Sequence, residues 1–187
     1  MLTMACLLIA SAVWLQTDKT MNIGSVERDL TGDGKPETLR LVGVGPAIDD
    51  LDITFTIESE GRTIYRSKMM PLTRSVGFDA GRRTLSLEQF RARLEEFPRG
   101  FFGKEKFLPP AAFVDHLHSM SREAVADIPK AIARDRPPAE TRDGGEIWKE
   151  IFNSPVTIFE FSPGGDSVVA IGWSARAGRF YRLLECC

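Results

Sequence analysis

The stretch Asp29-Leu30-Thr31-Gly32-Asp33-Gly34-Lys35-Pro36-Glu37 carries side-chain oxygens at its first, third, fifth and ninth positions and a glycine at its sixth. A hard divalent cation such as calcium asks for this spacing, because a tight loop turns alternate side chains inward and glycine permits the sharp bend. Asp29, Thr31, Asp33 and Glu37 would then supply side-chain oxygens and Lys35 its main-chain carbonyl. The same residues have a second reading. Asp33-Gly34 is a common turn pair, and Asp29 or Thr31 can bond to backbone donors with no ion present. With the 10⁻⁴–10⁻³ M affinity of extracellular modules, millimolar calcium would add only about 0.4–1.4 kcal/mol by mass action, which suits a structural role.

This segment resembles the Asp-rich calcium loops of the FG-GAP, VCBS and dockerin groups, and it is similar to the first half of an EF-hand loop. The resemblance covers about nine residues and ends at Glu37. It implies calcium as the ion. Thr31 stands where those loops carry Asp or Asn, and Arg40 occupies the twelfth position, where an EF-hand places a bidentate Glu.

The remaining chemistry-bearing residues form weaker patterns. His116 and His118 are the only histidines, and Asp115 precedes them. On a helix, residues two apart point about 200° away from each other, so a shared metal needs an extended strand there. A hydrolase would have to use His116 or His118 with nearby carboxylates as its acid and base. Asp49, Asp50 and Asp52 form an acidic turn that could approach the Asp29 loop, and Glu95-Glu96 is a carboxylate pair whose members diverge on a helix. Between Arg82 and Lys106 basic residues outnumber acidic ones and are interleaved with phenylalanines, of which Phe101 and Phe102 follow Gly100 as an exposed anchor or as rings tucked under a helix. The chain contains no GxSxG elbow, HExxH, P-loop, Rossmann fingerprint or CxxC.

The elements that must position these groups follow from hydrophobic period. Thr38–Val42 and Asp52–Glu58 alternate polar and apolar, with Ile53, Phe55 and Ile57 on one face, and Ser59-Glu60-Gly61 turns the second of these into a partner over Arg62–Ser67. The middle changes to helical spacing. Ser86 caps a helix carrying Leu87, Phe90, Leu94 and Phe97, which Pro98 should end; a second follows Pro109-Pro110 with Phe113, Leu117 and Met120; and Ser121 caps a third through Val125, Ile128 and Ile132. Pro129 should kink that third segment or start a new helix. Arg134–Gly145 reads as a polar connector, and strands return at Val156–Phe161, Ser167–Trp173 and Phe180–Leu184. The order predicts an α+β fold: an antiparallel sheet from N- and C-terminal hairpins, with helices from the middle of the chain packed on one face.

At 187 residues, 43% hydrophobic and 27% charged, the chain has the composition of one globular domain, and its net charge of -2 argues against a nucleic-acid partner. Met1–Leu15 is an uncharged apolar run, short of the roughly 20 residues of a bilayer span, so no transmembrane span is expected. With Ala10-Ser11-Ala12 as a small-x-small site, residues 1–12 read as a signal peptide and 13–187 as a single α+β domain, placed in the periplasm or secreted. Cleavage would leave only Cys186 and Cys187, too few for a disulfide framework. The sequence thus points to an exported, non-catalytic binding or assembly protein with an unidentified protein or envelope partner and a calcium loop. The alternatives are an envelope hydrolase and an immunity or inhibitor protein for a secreted toxin.

Overall fold

The computed structural model describes residues 19–47, 50–69 and 86–186. The signal segment 1–12, Asp49 and Cys187 lie outside these residues. Within them, β1 (Lys19–Arg28), β2 (Glu37–Ala47), β3 (Asp50–Ser59) and β4 (Arg62–Lys68) form an antiparallel meander in the order β1-β2-β3-β4. Helix α1 (Leu87–Phe101), a 3-10 turn at Lys104–Lys106, the short β5 (Phe107–Leu108), and α2 (Pro110–Met120), α3 (Arg122–Asp135) and α4 (Gly144–Phe152) follow. Strands β6 (Ile158–Gly164), β7 (Ser167–Ser174) and β8 (Arg179–Cys186) complete a second antiparallel sheet, β5-β6-β7-β8. The α+β expectation holds, and the strands divide between two sheets.

Period two decides how these layers meet. In the first sheet Leu39, Leu41, Ile53, Phe55 and Ile57 face inward and are almost fully buried. They pack against Phe159, Phe161, Val169, Ile171 and Phe180 of the second sheet. The alternate residues of that sheet, Ile158, Ala170, Tyr181 and Leu183, face the opposite way and are covered by Phe113, Leu117, Ile128, Ile132, Ile147 and Ile151 of α2, α3 and α4. The result is sheet, sheet and helices in three layers. Phe55 is the hub of the first core, with ring centroids 5.0 Å from Phe161, 5.4 Å from Phe101, 5.5 Å from Phe159 and 5.9 Å from Tyr65. Such tilted and edge contacts each add about 0.5–1.5 kcal/mol beyond burial.

The helices show where local signals hold and where packing overrides them. Ser86 caps α1 as its sequence predicts: its hydroxyl accepts from the Gln89 N–H while the Gln89 side chain accepts from the Ser86 N–H. Pro98 does not end α1, which runs on to Phe101. Continuing the helix seats Phe101, 6% exposed, among Phe55, Phe159 and Phe161, and the Pro98 ring fills the notch left by Gly24 on β1, where a Cβ would stand 2.5 Å from it. Phe101 is therefore part of the core, and the half-buried Phe102 packs against it. Pro129 likewise lies inside α3 without starting a new helix; its carbonyl packs onto Gly144 so closely that a side chain there would overlap it. Phe113 and Leu117 of α2 are fully buried as their spacing predicts, but Met120 is 61% exposed, because the helix ends there and Ser121 turns the chain into α3.

Two elements carry weaker sequence signals. Strand β1 alternates imperfectly, because its register shifts between Asn22 and Gly24. Helix α4 begins inside the expected connector, where Asp143 and Glu146 form a reciprocal capping box ahead of Ile147 and Ile151.

Candidate functional site

The loop from Asp29 to Glu37 joins β1 to β2. Gly32 and Gly34 hold φ of 75° and 83°, a region costly for other residues, and so fold the segment back on itself. Its carboxylates then meet backbone donors. Asp29 Oδ1 accepts from the Gly32 N–H (2.7 Å) and Oδ2 from the Gly34 N–H (2.9 Å), while Asp33 Oδ1 accepts from the Lys35 N–H (2.8 Å). Glu37 is completely buried; its Oε2 accepts from the N–H groups of Leu30 (2.8 Å) and Thr31 (3.3 Å), and Thr31 Oγ1 donates to Oε1 (3.2 Å). This carboxylate holds Leu30 in the core, and the Leu30 carbonyl in turn accepts from Thr157 N–H ahead of β6. The loop thereby pins the first sheet to the second.

The five sequence-predicted positions are thus brought into one turn. Among the described residues, no group of three or more His, Cys, Asp or Glu is placed to hold a metal ion. Lys35 turns outward to Glu60 at 2.7 Å, and this contact raises the Lys35 ammonium and lowers the Glu60 carboxyl. Asp52 does not approach the loop. It pairs with Val44, seven residues along β2 from Glu37, or about 24 Å at the rise of a strand.

His116 and His118 both lie on α2, so the helical reading of this segment stands and the two imidazoles diverge. His116 Nε2 reaches Glu160 Oε2 on β6 at 3.6 Å, and Lys106 Nζ reaches Glu160 Oε1 at 3.5 Å.

A polar cluster occupies the segment expected to be a connector. The Arg142 guanidinium grips Glu140 through Nε (3.0 Å) and Nη2 (2.7 Å), and its Nη1 donates to Glu150 of α4. Glu150 Oε1 also accepts from Ser174 Oγ and from the Arg176 N–H, each at 3.1 Å, and the Tyr181 hydroxyl donates to Glu140 (3.4 Å). Hydrogen bonding to Arg142 brings the Glu140 carboxyl down to about 2. Burial pushes Glu150 up, but the Arg176 N–H, Arg142 and Ser174 outweigh it and the net direction is downward. These bonds tie the connector, α4 and the β7–β8 hairpin together, so the cluster is a clasp between them.

An open cleft of about 350 Å³ lies between α1 and the β6–β7 hairpin. Phe97, Phe101 and Phe161 supply its apolar wall, Arg93, Glu96 and Lys106 its charged groups, and Gly164 and Gly165 its floor at the turn. Sequence reading isolates the Arg82–Lys106 stretch but has no means to bring it against a hairpin some sixty residues later.

Fold and cleft together describe a mixed α+β protein of three layers with an open, partly apolar recess at the end of its aromatic core. No family model, curated protein or solved structure matches the chain.

Proposed function

We propose that the protein is an exported, non-catalytic binding protein whose binding site is the cleft between α1 and the β6–β7 hairpin. The observation that carries this reading is the cleft's make-up: three phenylalanine side chains, charged groups at its margin, and a volume of about 350 Å³. That volume is at the small end for ligand sites, and apolar walls with a few polar groups are their usual composition. Gly100 provides the test, because it lines the cleft and a Cβ built there meets nothing within 4 Å. Gly100→Phe should place a ring toward the cleft, and an unchanged circular dichroism spectrum checks that α1 is kept. Small apolar compounds that raise the melting temperature of the parent protein should leave the variant unmoved; equal shifts in both, or no shift by any compound, reject the site. Export is tested separately by the mass of protein from its native host, where an intact Met1 rejects cleavage after Ala12.

The loop at Asp29 carries a second, structural reading. We infer that calcium, held by Asp29, Thr31, Asp33, Glu37 and the Lys35 carbonyl, would stiffen the junction of β1 and β2. The support is that Asp29 Oδ1, Asp29 Oδ2 and Asp33 Oδ1 each accept one N–H and keep a second lone pair, whereas Glu37 Oε2 already accepts two and would have to give one up. A stabilisation of about 0.4–1.4 kcal/mol by millimolar calcium corresponds to a rise of about 1–5 °C in melting temperature; identical melting in calcium and in chelator rejects it. The hydrolase alternative draws on the approach of His116 to Glu160, and retention of any hydrolytic activity after His116→Ala and His118→Ala removes it. An immunity or inhibitor role would be revealed by a toxin that co-purifies.

A further inference from the structure

The outer face of the meander, away from the cleft, holds two buried donors that nothing accepts from. Phe55 and Ile57 point inward, so Thr56 between them points outward, and the register sets it between Arg40 of β2 and Arg66 of β4, each about 5 Å away across the sheet. Lys68 follows two residues after Arg66 on the same face. Thr56 is 7% exposed, and its Oγ1 has no hydrogen-bond partner among the described residues; nor has the buried Nε of the adjacent Arg40. Folded proteins rarely leave one such group unsatisfied, and here two stand side by side in one row. We propose that this row binds a phosphate group. Its local charge is positive after every carboxylate is counted. Glu58 lies 3.7 Å from Arg40 Nη2 and matches that cation. Arg66 and Lys68 are exposed and make no ion pair among the described residues, and β4 carries no carboxylate at all. The remaining acids of this face, Glu27 and Asp52, pair with Thr38 and Val44, which places them about 12 and about 14 Å from Thr56. Two unmatched cations suit the nearly double negative charge of a phosphate group. Its tetrahedral oxygens can accept from Arg66, the Thr56 hydroxyl and Arg40 Nε–H together, where a planar carboxylate satisfies one guanidinium fork. The Arg40 side chain is 41% exposed and Arg66 is exposed, so an anion entering between their ends meets the hydroxyl beneath them.

The test titrates the full chain by calorimetry at low ionic strength with inorganic phosphate, glycerol 3-phosphate and acetate. Either phosphate should bind saturably and roughly tenfold more tightly than acetate, since one charge-assisted hydrogen bond is equivalent to about a factor of ten. Tighter binding of glycerol 3-phosphate assigns the group to an organic ester, and tighter binding of inorganic phosphate assigns it to the free ion; both support the site. Arg66→Gln should weaken phosphate roughly tenfold, and Glu58→Gln, which releases Arg40, should strengthen it. Thr56→Val should weaken phosphate although it removes an unsatisfied hydroxyl and folds at least as stably, so lost binding cannot be put down to unfolding; Thr56→Ser keeps the hydroxyl and should bind as the parent does. Lys130→Gln removes an exposed cation on α3 and should change nothing. Absence of saturable binding, equal binding of phosphate and acetate, equal weakening by Lys130→Gln, or unchanged binding by Thr56→Val overturns the proposal.

Discussion

Removing the Glu37 side chain should be the most damaging change outside the hydrophobic core. The carboxylate is completely buried and serves Leu30 N–H, Thr31 N–H and Thr31 Oγ1 at 2.8, 3.3 and 3.2 Å. Glu37→Ala deletes all of these and leaves the buried Leu30 N–H without an acceptor. A hydrogen bond to a charged group is worth about 1.5–3 kcal/mol, and an orphaned buried donor costs about 1–3 kcal/mol; these overlap, so about 3 kcal/mol is expected. With a urea m-value near 2 kcal/mol per M, the midpoint should fall by about 1.5 M. Glu37→Gln separates hydrogen bonding from charge. Its carbonyl oxygen can face Leu30 and Thr31 N–H, and its amide can donate to Thr31 Oγ1, reversing one bond, so it should cost about 1 kcal/mol or less. The assay is urea unfolding of parent, Ala and Gln proteins in chelator. Equal losses for Ala and Gln would refute the hydrogen-bonding account, and a loss below about 1 kcal/mol for Ala would show that Glu37 does not hold the loop.

Other expectations follow from single contacts. Thr56 on β3 is 7% exposed and its Oγ1 has no hydrogen-bond partner among the described residues; Thr56→Val keeps the shape and should raise stability by about 1 kcal/mol in denaturant unfolding. Gly144→Ala drives a Cβ into the Pro129 carbonyl where α3 meets α4, and should cost about 2–3 kcal/mol, read as a lower melting temperature. Glu140 titrates at about 2 when folded against an ordinary 4.5. A lowered pKa contributes stability above the ordinary value that is lost as pH falls through the folded one. Stability should therefore decline between pH 4.5 and 2, and Glu140→Gln should weaken the protein at pH 7 while flattening that decline in pH-dependent melting.

What the sequence discloses depends on how local the cause is. The inward set Ile53, Phe55 and Ile57, the Ser86–Gln89 box and the buried faces of α2 and α3 are legible, because period and capping act over a few residues. Pro98 and Pro129 mislead for a tertiary reason: burial of Phe101 among distant rings and the docking of α3 on Gly144 outweigh a missing backbone donor. The division into two sheets is hidden because Phe55 meets Phe159 and Phe161 across a hundred residues of chain. The Asp29 loop is legible as a turn with carboxylates, yet the buried donors that Glu37 serves emerge only once Leu30 is placed. The cleft has no local signature, since one wall comes from α1 and the other from β6.

The order of the layers constrains how the chain can be made. The sheet containing β6, β7 and β8 is the middle layer, on which both the meander and the helices α2, α3 and α4 rest, and it is encoded after nearly all of both. During synthesis the ribosome therefore releases the two outer layers with their apolar faces bare, and neither can close until residues 158–186 have emerged. Burial of both faces therefore follows the appearance of this central sheet, not of either layer that rests on it.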